Sequence, residues 1–493
     1  MFSRGFKLFK IRGGVHPDAN KHATYDKSIT ELPIPELLRI PLLQHIGSPA
    51  EPIVKRGTQV LKGQLLARAQ GPISAPVHAP TSGKVVKIGK YQAPHPSGLP
   101  VLTITLKTDG EDKWIDTDIP TDPFSLEPAE IARKVADAGI VGMGGATFPS
   151  AVKLGLRDRF KLEKLILNGA ECEPYLTCDD RLMQEYTNDV IDGIRIMMYA
   201  LEVKEAIIAI ENNKPQAISS MKTAAKDFPE ISVVAVPVQY PMGSEKHLVQ
   251  TLIGKETPAR ALTAELGVVV HNVATAYAVH QALRESKPLI SRIVTVAGGA
   301  INNPGNYHAL IGTPVSHLIE HAGGLKEDAA QLLLGGPMMG QPLPGTNVPI
   351  IKGSGGILAF TQKEVAMKQP SPCIRCASCV NVCPCGLLPL EMAVRAKAGD
   401  LEGAADYGLA DCISCGSCSY VCPSSIPLVQ YFNFAKGALA KKQQSQKKQE
   451  EIKVLVAARN ERMEKQAKAK KEALARRKAE MAAKKKQRTE ASA

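Results

Sequence analysis

The chain has 493 residues, 44% of them hydrophobic and only 4% aromatic, with a formal net charge of +13. That length suits about three or four domains, and no apolar run approaches the roughly 18 uninterrupted residues that a membrane-spanning helix needs. From Lys436 onward 19 Lys and Arg face 7 Glu, a surplus of 12, so the basicity belongs to one terminal segment and the remaining body is nearly neutral.

At the N-terminus Phe2, Phe6, Leu8, Phe9 and Ile11 are interspersed with Arg4, Lys7, Lys10 and Arg12. That pattern excludes the apolar core of a signal peptide. It predicts a protein that stays in the cytosol, where thiols remain reduced. Residues 54–88 are dense in glycine, proline and short β-type runs, among them Gly57, Val60, Gly63, Leu65, Leu66, Pro76, Pro80, Gly83, Val85 and Val86. The turn signals predict a small β sandwich or barrel within residues 1–120. The stretch resembles a lipoyl- or biotinyl-carrier domain. Where a carrier has its modified lysine, this chain has Ala69-Gln70-Gly71-Pro72, so an unmodified barrel-sandwich module is expected.

Residues 121–290 alternate between helix and strand, the pattern of an α/β layer structure. Helices are expected over 128–138 and 181–201, and strands over 164–167, 206–210 and 231–237. A glycine-rich loop, Gly142-Met143-Gly144-Gly145-Ala146-Thr147-Phe148-Pro149, follows the first helix. It is not a dinucleotide fingerprint, because the third glycine would fall at Thr147 and a strand should precede the loop. Read alone, it is either a simple turn or a loop that receives a phosphate or a ring. Lys153 follows within reach of a phosphate. The next strand then delivers Asn168-Gly169-Ala170-Glu171-Cys172-Glu173-Pro174. Residues 291–360 begin with Ile293-Val294-Thr295-Val296 and continue through Asn302-Asn303-Pro304-Gly305 to a helical run over 315–322. They look like a small β-grasp module of the soluble-ligand-binding type.

Residues 361–434 hold the strongest signal. Nine of the 11 cysteines lie between Cys373 and Cys422. Eight form two copies of one pattern: Cys373, Cys376, Cys379 and Cys383 before Pro384, and Cys412, Cys415, Cys418 and Cys422 before Pro423. This is the bacterial ferredoxin spacing for two [4Fe-4S] clusters, in which the fourth cysteine of each run serves the other cluster. The expected sets are Cys373, Cys376 and Cys379 with Cys422, and Cys412, Cys415 and Cys418 with Cys383. Zinc sites use two separated C-x2-C knuckles instead, and disulfides would need an exported chain. Cys385 is read as a spare. The helical character of 387–410, broken at Gly399-Asp400, points to an α-helical dicluster domain. After Phe434 the chain is Lys, Ala, Glu and Gln without an aromatic residue, so 435–493 is expected to be a solvated helix or a disordered tail. Its charge suits an anionic membrane surface. Nucleic acid is not expected, since no aromatic is interleaved for base stacking.

The glycine loop, Lys153 and the Asn168–Pro174 run resemble the flavin- and NADH-binding subunit of respiratory complex I. The resemblance continues in Tyr240-Pro241-Met242-Gly243-Ser244-Glu245 and in Asn272-Val273-Ala274-Thr275. It implies a flavin set of Gly142, Gly144, Lys153, Asn168, Glu171, Tyr240, Gly243 and Asn272. It also implies an NADH set of Gly145, Phe148, Glu173 and Glu245, with Phe148 stacked on the adenine. Three positions depart from that pattern: Met143 stands in place of an arginine, Ala170 in place of an aspartate and Ser244 in place of a glutamate. Cys172 and Cys178 flank the site and read as buried small hydrophobes.

From Gly13-Gly14-Val15-His16-Pro17 to about Phe434, the domain order resembles the C subunits of Rnf ion-translocating electron-transport complexes. The resemblance implies a peripheral subunit on the cytoplasmic face of the bacterial inner membrane. Such a subunit exchanges electrons between NAD(H) and a ferredoxin-level carrier through non-covalent FMN and two [4Fe-4S] clusters. Its partners are the other Rnf subunits, including a ferredoxin-like iron–sulfur subunit. No catalytic acid or nucleophile is required. The alternative is an adaptor with two clusters and docking modules but no working flavin/NADH site.

Overall fold

The computed structural model describes residues 7–117, 121–145, 147–365 and 369–490. Ala146 of the glycine loop, and Phe2, Arg4 and Phe6 of the N-terminal pattern, lie outside the described residues. The chain forms two compact units, Met1–Leu390 with Asp411–Val429, and Glu391–Ala410 with Gln430–Ala493.

In the first unit, the N-terminal module is two small sheets. One orders strands Leu37–Pro41, Pro100–Thr108, Gly83–Gln92 and Gln59–Val60; the other orders Glu51–Pro52, Leu65–Arg68 and Val77–His78. Side chains alternate between the faces of a strand. Leu38, Ile40, Val85, Ile104 and Leu106 therefore point into one core with Leu66, Ala67 and Val77. The strand Ile29–Glu31 does not join these sheets. It pairs in parallel with Gly305–Leu310, at the edge of a six-stranded sheet that continues through Ser291–Ala297, Gly356–Thr361, Ala329–Leu334 and Gln341–Pro342. The helix Val315–His321 packs on that sheet through Val315, Leu318 and Ile319.

The central domain is a four-stranded parallel sheet in the order Ile231–Val236, Glu205–Glu211, Lys164–Gly169, Val268–Asn272. Both faces of such a sheet are covered, so its strands are apolar runs; Leu165, Ile166, Leu167, Ile207, Ile208 and Ile210 are all buried. The chain starts at Lys164–Gly169, winds outward through two strands, and then returns to the opposite side at Val268–Asn272. The topological switch point lies between those two strands, and ligands of open α/β sheets bind outside it. Asn168 and Asn272 are paired in register there.

One expected helix is divided. The run 181–201 belongs to two helices, Cys178–Glu185 and Thr187–Leu201. Tyr186 leaves the helical conformation between them, and its ring packs 4.9 Å from that of Tyr277. The Thr187 hydroxyl takes up the freed carbonyl of Met183 at 2.8 Å.

A buried lysine joins three modules of the first unit. Lys352 donates to the carbonyls of Pro76 at 2.8 Å and Gly139 at 2.6 Å, tying the β-grasp module to the barrel and to the turn before the glycine loop. Burial lowers its pKa to about 7. In the second unit, Asp400 caps Leu401–Asp406 by accepting from Gly403 N at 2.9 Å, and Gly399 at φ +79 makes the expected break. The helix Leu428–Glu490 runs 63 residues. Among the described residues no helix is long and apolar enough to cross a membrane.

Candidate flavin and iron–sulfur sites

The glycine loop closes on itself, Gly142 N donating to Phe148 O at 2.7 Å beside a bridge between Val141 and Pro149. Its inner side rests on the start of the helix Val273–Arg284, where Met143 N donates to Thr275 Oγ1 at 3.2 Å. A Cβ on Gly144 would come within 3.1 Å of Asn272 Cβ, so glycine permits the close approach; one on Gly145, at φ +138, would meet nothing within 4 Å. The β-grasp module braces the loop from outside. Gly353 packs against Thr147, and buried Arg292 touches Met143 Sδ while donating to Ser354 O at 3.2 Å.

At the switch point Asn168 Nδ2 donates to Gly243 O at 2.8 Å, and Asn272 Nδ2 donates to Asn168 O at 3.3 Å and to Asp179 Oδ2 at 2.6 Å. Asn272 also caps its helix, accepting from Ala274 N at 2.8 Å. Lys153, in the helix Ser150–Leu154 that follows the loop, donates to Glu245 Oε2 at 2.8 Å and Val270 O at 2.9 Å. Glu245 also accepts from Thr263 Oγ1 at 2.7 Å. The switch point thus joins Gly144, Asn168, Gly243 and Asn272, with one ammonium and a capped helix N-terminus close by. That donor set fits a phosphate-bearing ring cofactor. It brings together residues from four separate stretches of sequence.

Glu171, Glu173 and Tyr240, also expected to face the ligand, likewise have their polar atoms engaged by the protein. Glu171 accepts from Asp179 N at 2.7 Å, at the start of the helix Cys178–Glu185, and its carboxylate lies 3.9 Å from Lys21 Nζ. Burial pushes the Glu171 pKa up and that of Lys21 down. Glu173 accepts from Met338 N at 3.0 Å and Met339 N at 2.9 Å; burial outweighs both bonds and raises it to about 7. Tyr240 is buried, and its hydroxyl donates to Cys415 O at 2.7 Å. Lys21, which no motif marks, donates to the carbonyls of Glu171 at 3.0 Å and Glu173 at 2.9 Å, and also to Leu176 O. Lys214, equally unmarked, is buried and donates to Ala170 O at 2.7 Å. These two lysines fix the path of 170–176. Gly243 N donates to Cys172 Sγ at 3.2 Å. Burial raises the Cys172 thiol to about 12 and the Cys178 thiol well above its usual range.

The cysteine runs share one backbone. Arg375 and Ser414, then Ala377 and Gly416, then Gly386 and Ser425, all have positive φ at matching places. Arg375 N lies 3.4 Å from Cys373 Sγ, and Ser414 N lies 3.4 Å from Cys412 Sγ. Short helices Ser378–Asn381 and Ser417–Tyr420 follow. Two thiol groups result. Cys422, Cys373 and Cys376 are neighbours of Cys379, while Cys415, Cys412 and Cys383 are neighbours of Cys418. Each group offers four thiolates, the donor set a [4Fe-4S] cluster requires. Cys385 lies beside Cys383 and Cys415.

Comparison with known proteins agrees with this architecture. The RnfC barrel sandwich hybrid domain matches residues 9–111, the Nuo51 FMN-binding domain 135–281, the SLBB domain 293–342 and the 4Fe-4S dicluster domain 372–426. The C subunit of the ion-translocating oxidoreductase complex of Rhodobacter capsulatus is 59% identical over 436 residues, 88% of this chain and 84% of that protein. The protein of the same description from Haemophilus influenzae strain 86-028NP is 43% identical over 462 residues, 93% of this chain and 69% of that one. An NAD+-reducing [NiFe]-hydrogenase in its H2-reduced state is 20% identical with a TM-score of 0.46, over 66% of this chain and 64% of that one. The chain carries an FMN-binding domain and a dicluster iron–sulfur domain, and it belongs to the family of C subunits of ion-translocating oxidoreductase complexes.

Proposed function

We propose that this subunit exchanges a hydride with NAD(H) at FMN and passes the electrons singly, through two [4Fe-4S] clusters, to or from a ferredoxin-level carrier. It does so as a peripheral member of its complex on the cytoplasmic face of the inner membrane, beside the other Rnf subunits. FMN, when bound, supplies the exchange between two-electron and one-electron chemistry. The observation that carries the reading is the 240–243 loop. Its Gly243 accepts from Asn168 at the switch point, and its Tyr240 donates to Cys415 of a cluster run.

The chain's own part is to bind and orient. Gly142, Gly144, Gly145 and Phe148 form the loop that would receive flavin and nicotinamide. Lys153 would meet the flavin phosphate; in the protein its ammonium is held by Glu245. Asn168, Gly243 and Asn272 hold the ring side. Glu171, Glu173 and Tyr240 shape the walls, because their polar atoms are already bonded within the protein. Cys373, Cys376, Cys379 and Cys422 hold one cluster, and Cys383, Cys412, Cys415 and Cys418 the other.

Reconstituted protein should contain about eight iron and eight sulfide, and its absorbance should show resolved flavin bands that NADH bleaches. Lys153→Ala should weaken FMN binding by about tenfold, the scale of one charge-assisted hydrogen bond. Protein that holds both clusters, takes up no FMN and ignores NADH would establish the adaptor alternative instead.

A further inference from the structure

Arg292 is the second residue of the strand Ser291–Ala297 in the β-grasp module, yet its side chain ends behind the glycine loop of the central domain. It is 6% exposed. Its Nε donates to Ser354 O at 3.2 Å and its Nη1 touches Met143 Sδ. A guanidinium held out of water is costly unless its charge is compensated, and among the described residues no carboxylate is ion-paired to it. Asp179 and Cys178 are the groups whose charge acts on it. Arg292, Asp179, Met143 and Cys178 line one cavity of about 20 Å³, which is room for a water to bridge guanidinium and carboxylate. Asp179 leads on to the switch point. It is 9% exposed, and its Oδ2 accepts from Asn272 Nδ2 at 2.6 Å. Asn272 Oδ1 accepts from Ala274 N at 2.8 Å, so both ends of this amide are fixed. Burial raises the pKa of Asp179, while the Asn272 bond and the charge of Arg292 oppose that rise. One buried cation thus stands behind two walls of the site, the glycine loop through Met143 and the asparagine through Asp179.

Resting on the reading of Asn272 as a ring-side residue, we propose that Arg292 is a positioning residue of the flavin site, supplied by the β-grasp module. Through Asp179 it fixes the Asn272 amide, and together with Asp179 it sets the charge that a bound ring feels. Hydride uptake from NADH, which leaves as NAD+, brings two electrons and one proton, so the site gains one negative charge. A preorganised cation favours that gain and a carboxylate opposes it. Where water is excluded, neither is screened as it would be at the surface. Arg292 and Asp179 therefore act on the flavin potential with opposite signs. The β-grasp module is then a working part of the redox site rather than a scaffold beside it.

The experiment uses the reconstituted full chain. FMN affinity is read from the fluorescence of cofactor released on dilution, and the flavin potential from a spectroelectrochemical titration of its absorbance bands at pH 8. Arg292→Met removes the cation and keeps an unbranched side chain. It should bind FMN about tenfold more weakly. Its bound flavin should also lose about tenfold in preference for the reduced state, roughly 30 mV downward for a two-electron couple. Arg292→Lys keeps the charge and should hold the potential near the parental value. Asp179→Asn keeps an oxygen for Asn272 and removes the anion, so its flavin potential should rise, and the double variant with Arg292→Met should return toward the parent. A role in packing alone would lower melting temperature and affinity without opposite shifts of potential. Asn272→Ala checks the reading underneath. It should weaken FMN binding, and if it binds FMN like the parent, the ring-side assignment fails and the proposal falls with it. Should Arg292→Met not fold, Arg292→Lys and Asp179→Asn carry the test. Equal potentials in parent, Arg292→Met and Asp179→Asn, shifts of the same sign in those two variants, or a fall in Arg292→Lys as large as in Arg292→Met overturn the proposal and leave the flavin reading standing.

Discussion

A carboxylate that accepts two backbone N–H bonds ordinarily ionises more easily, and Glu173 does the reverse. Its bonds to Met338 and Met339 favour the charged form, but burial opposes it more strongly and lifts the pKa from 4.5 to about 7. Across that interval the folded protein holds a proton that the unfolded chain has released. The contribution of Glu173 to stability therefore falls as pH rises from 4.5 toward 7 and is level above that. Glu173→Gln, which keeps the shape and one acceptor oxygen, should flatten this part of the profile. Melting temperatures of both proteins between pH 5.5 and 7.5 would decide, and parallel curves would remove Glu173 as the cause. The same balance bears on the two cysteines beside the proposed flavin site. With burial holding Cys172 near 12, its thiol is protonated at neutral pH, as suits packing rather than thiolate chemistry. Single residues also mark where the sequence stopped being legible. Asn168, Gly243 and Asn272 stand in recognisable runs, whereas Lys21 acts on carbonyls about 150 positions away, and a lone lysine carries no spacing to betray that. Arg292 is hidden in the same way, at the start of an ordinary apolar strand.

Elements were legible where they obeyed one local rule. Three of the four strands of the central sheet were legible as apolar runs; the structure lengthens two of them by one or two residues at their ends, shortens 231–237 by one, and adds Val268–Asn272. The break at Tyr186 was not legible, because helix propensity continues through it and the cause is a ring contact with Tyr277 on another helix. Nor was the pairing of Ile29–Glu31 with Gly305–Leu310, which three residues of sequence cannot announce. The cysteine repeat lies between these cases. Its spacing was plain, but the structure adds that its turns need positive φ at Ala377 and Gly416, at 61° and 84°. A non-glycine residue in that conformation is strained by roughly 1 kcal/mol. Ala377→Gly should therefore be neutral or stabilising. Gly416→Ala adds the same strain and drives a methyl into Met338 O, so it should destabilise by about 2 kcal/mol or more. Chelator-driven iron release separates the two: it should quicken in Gly416→Ala and not in Ala377→Gly. Equal rates in parent and Gly416→Ala would mean that the loop around Gly416 is free to shift.

On the scale of the whole molecule, the N-terminal segment lends a strand to the β-grasp sheet, Lys21 to the 170–176 path and Gly14 to the cluster domain, so the barrel, flavin, β-grasp and cluster regions are joined by more than their order along the chain. The basic terminal segment is different in kind. Its helix Leu428–Glu490 begins inside the dicluster region: Leu428, Phe432 and Ala435 are buried, and among the described residues side chains are continuously exposed only from residue 440. Composition alone placed that boundary at Phe434; burial of Ala435 moves it onward. Beyond it Ile452, Val454, Leu455, Val456, Met463, Leu474 and Met481 are exposed among the lysines and arginines, so the segment has both cations and scattered apolar side chains to offer a surface. A chain ending at Ala440 should keep both clusters, its FMN and its reduction by NADH, because among the described residues no buried one is removed. Most of the charge surplus is lost with the segment, and attraction between basic side chains and anionic lipid is electrostatic and screened by salt. The shortened protein should therefore bind phosphatidylserine vesicles more weakly than the full chain at low ionic strength, and the difference should close at high salt. Sedimentation of both forms with vesicles under the two conditions measures this. Equal binding at low salt would leave the segment as a solubilising helix and assign membrane attachment wholly to the other subunits.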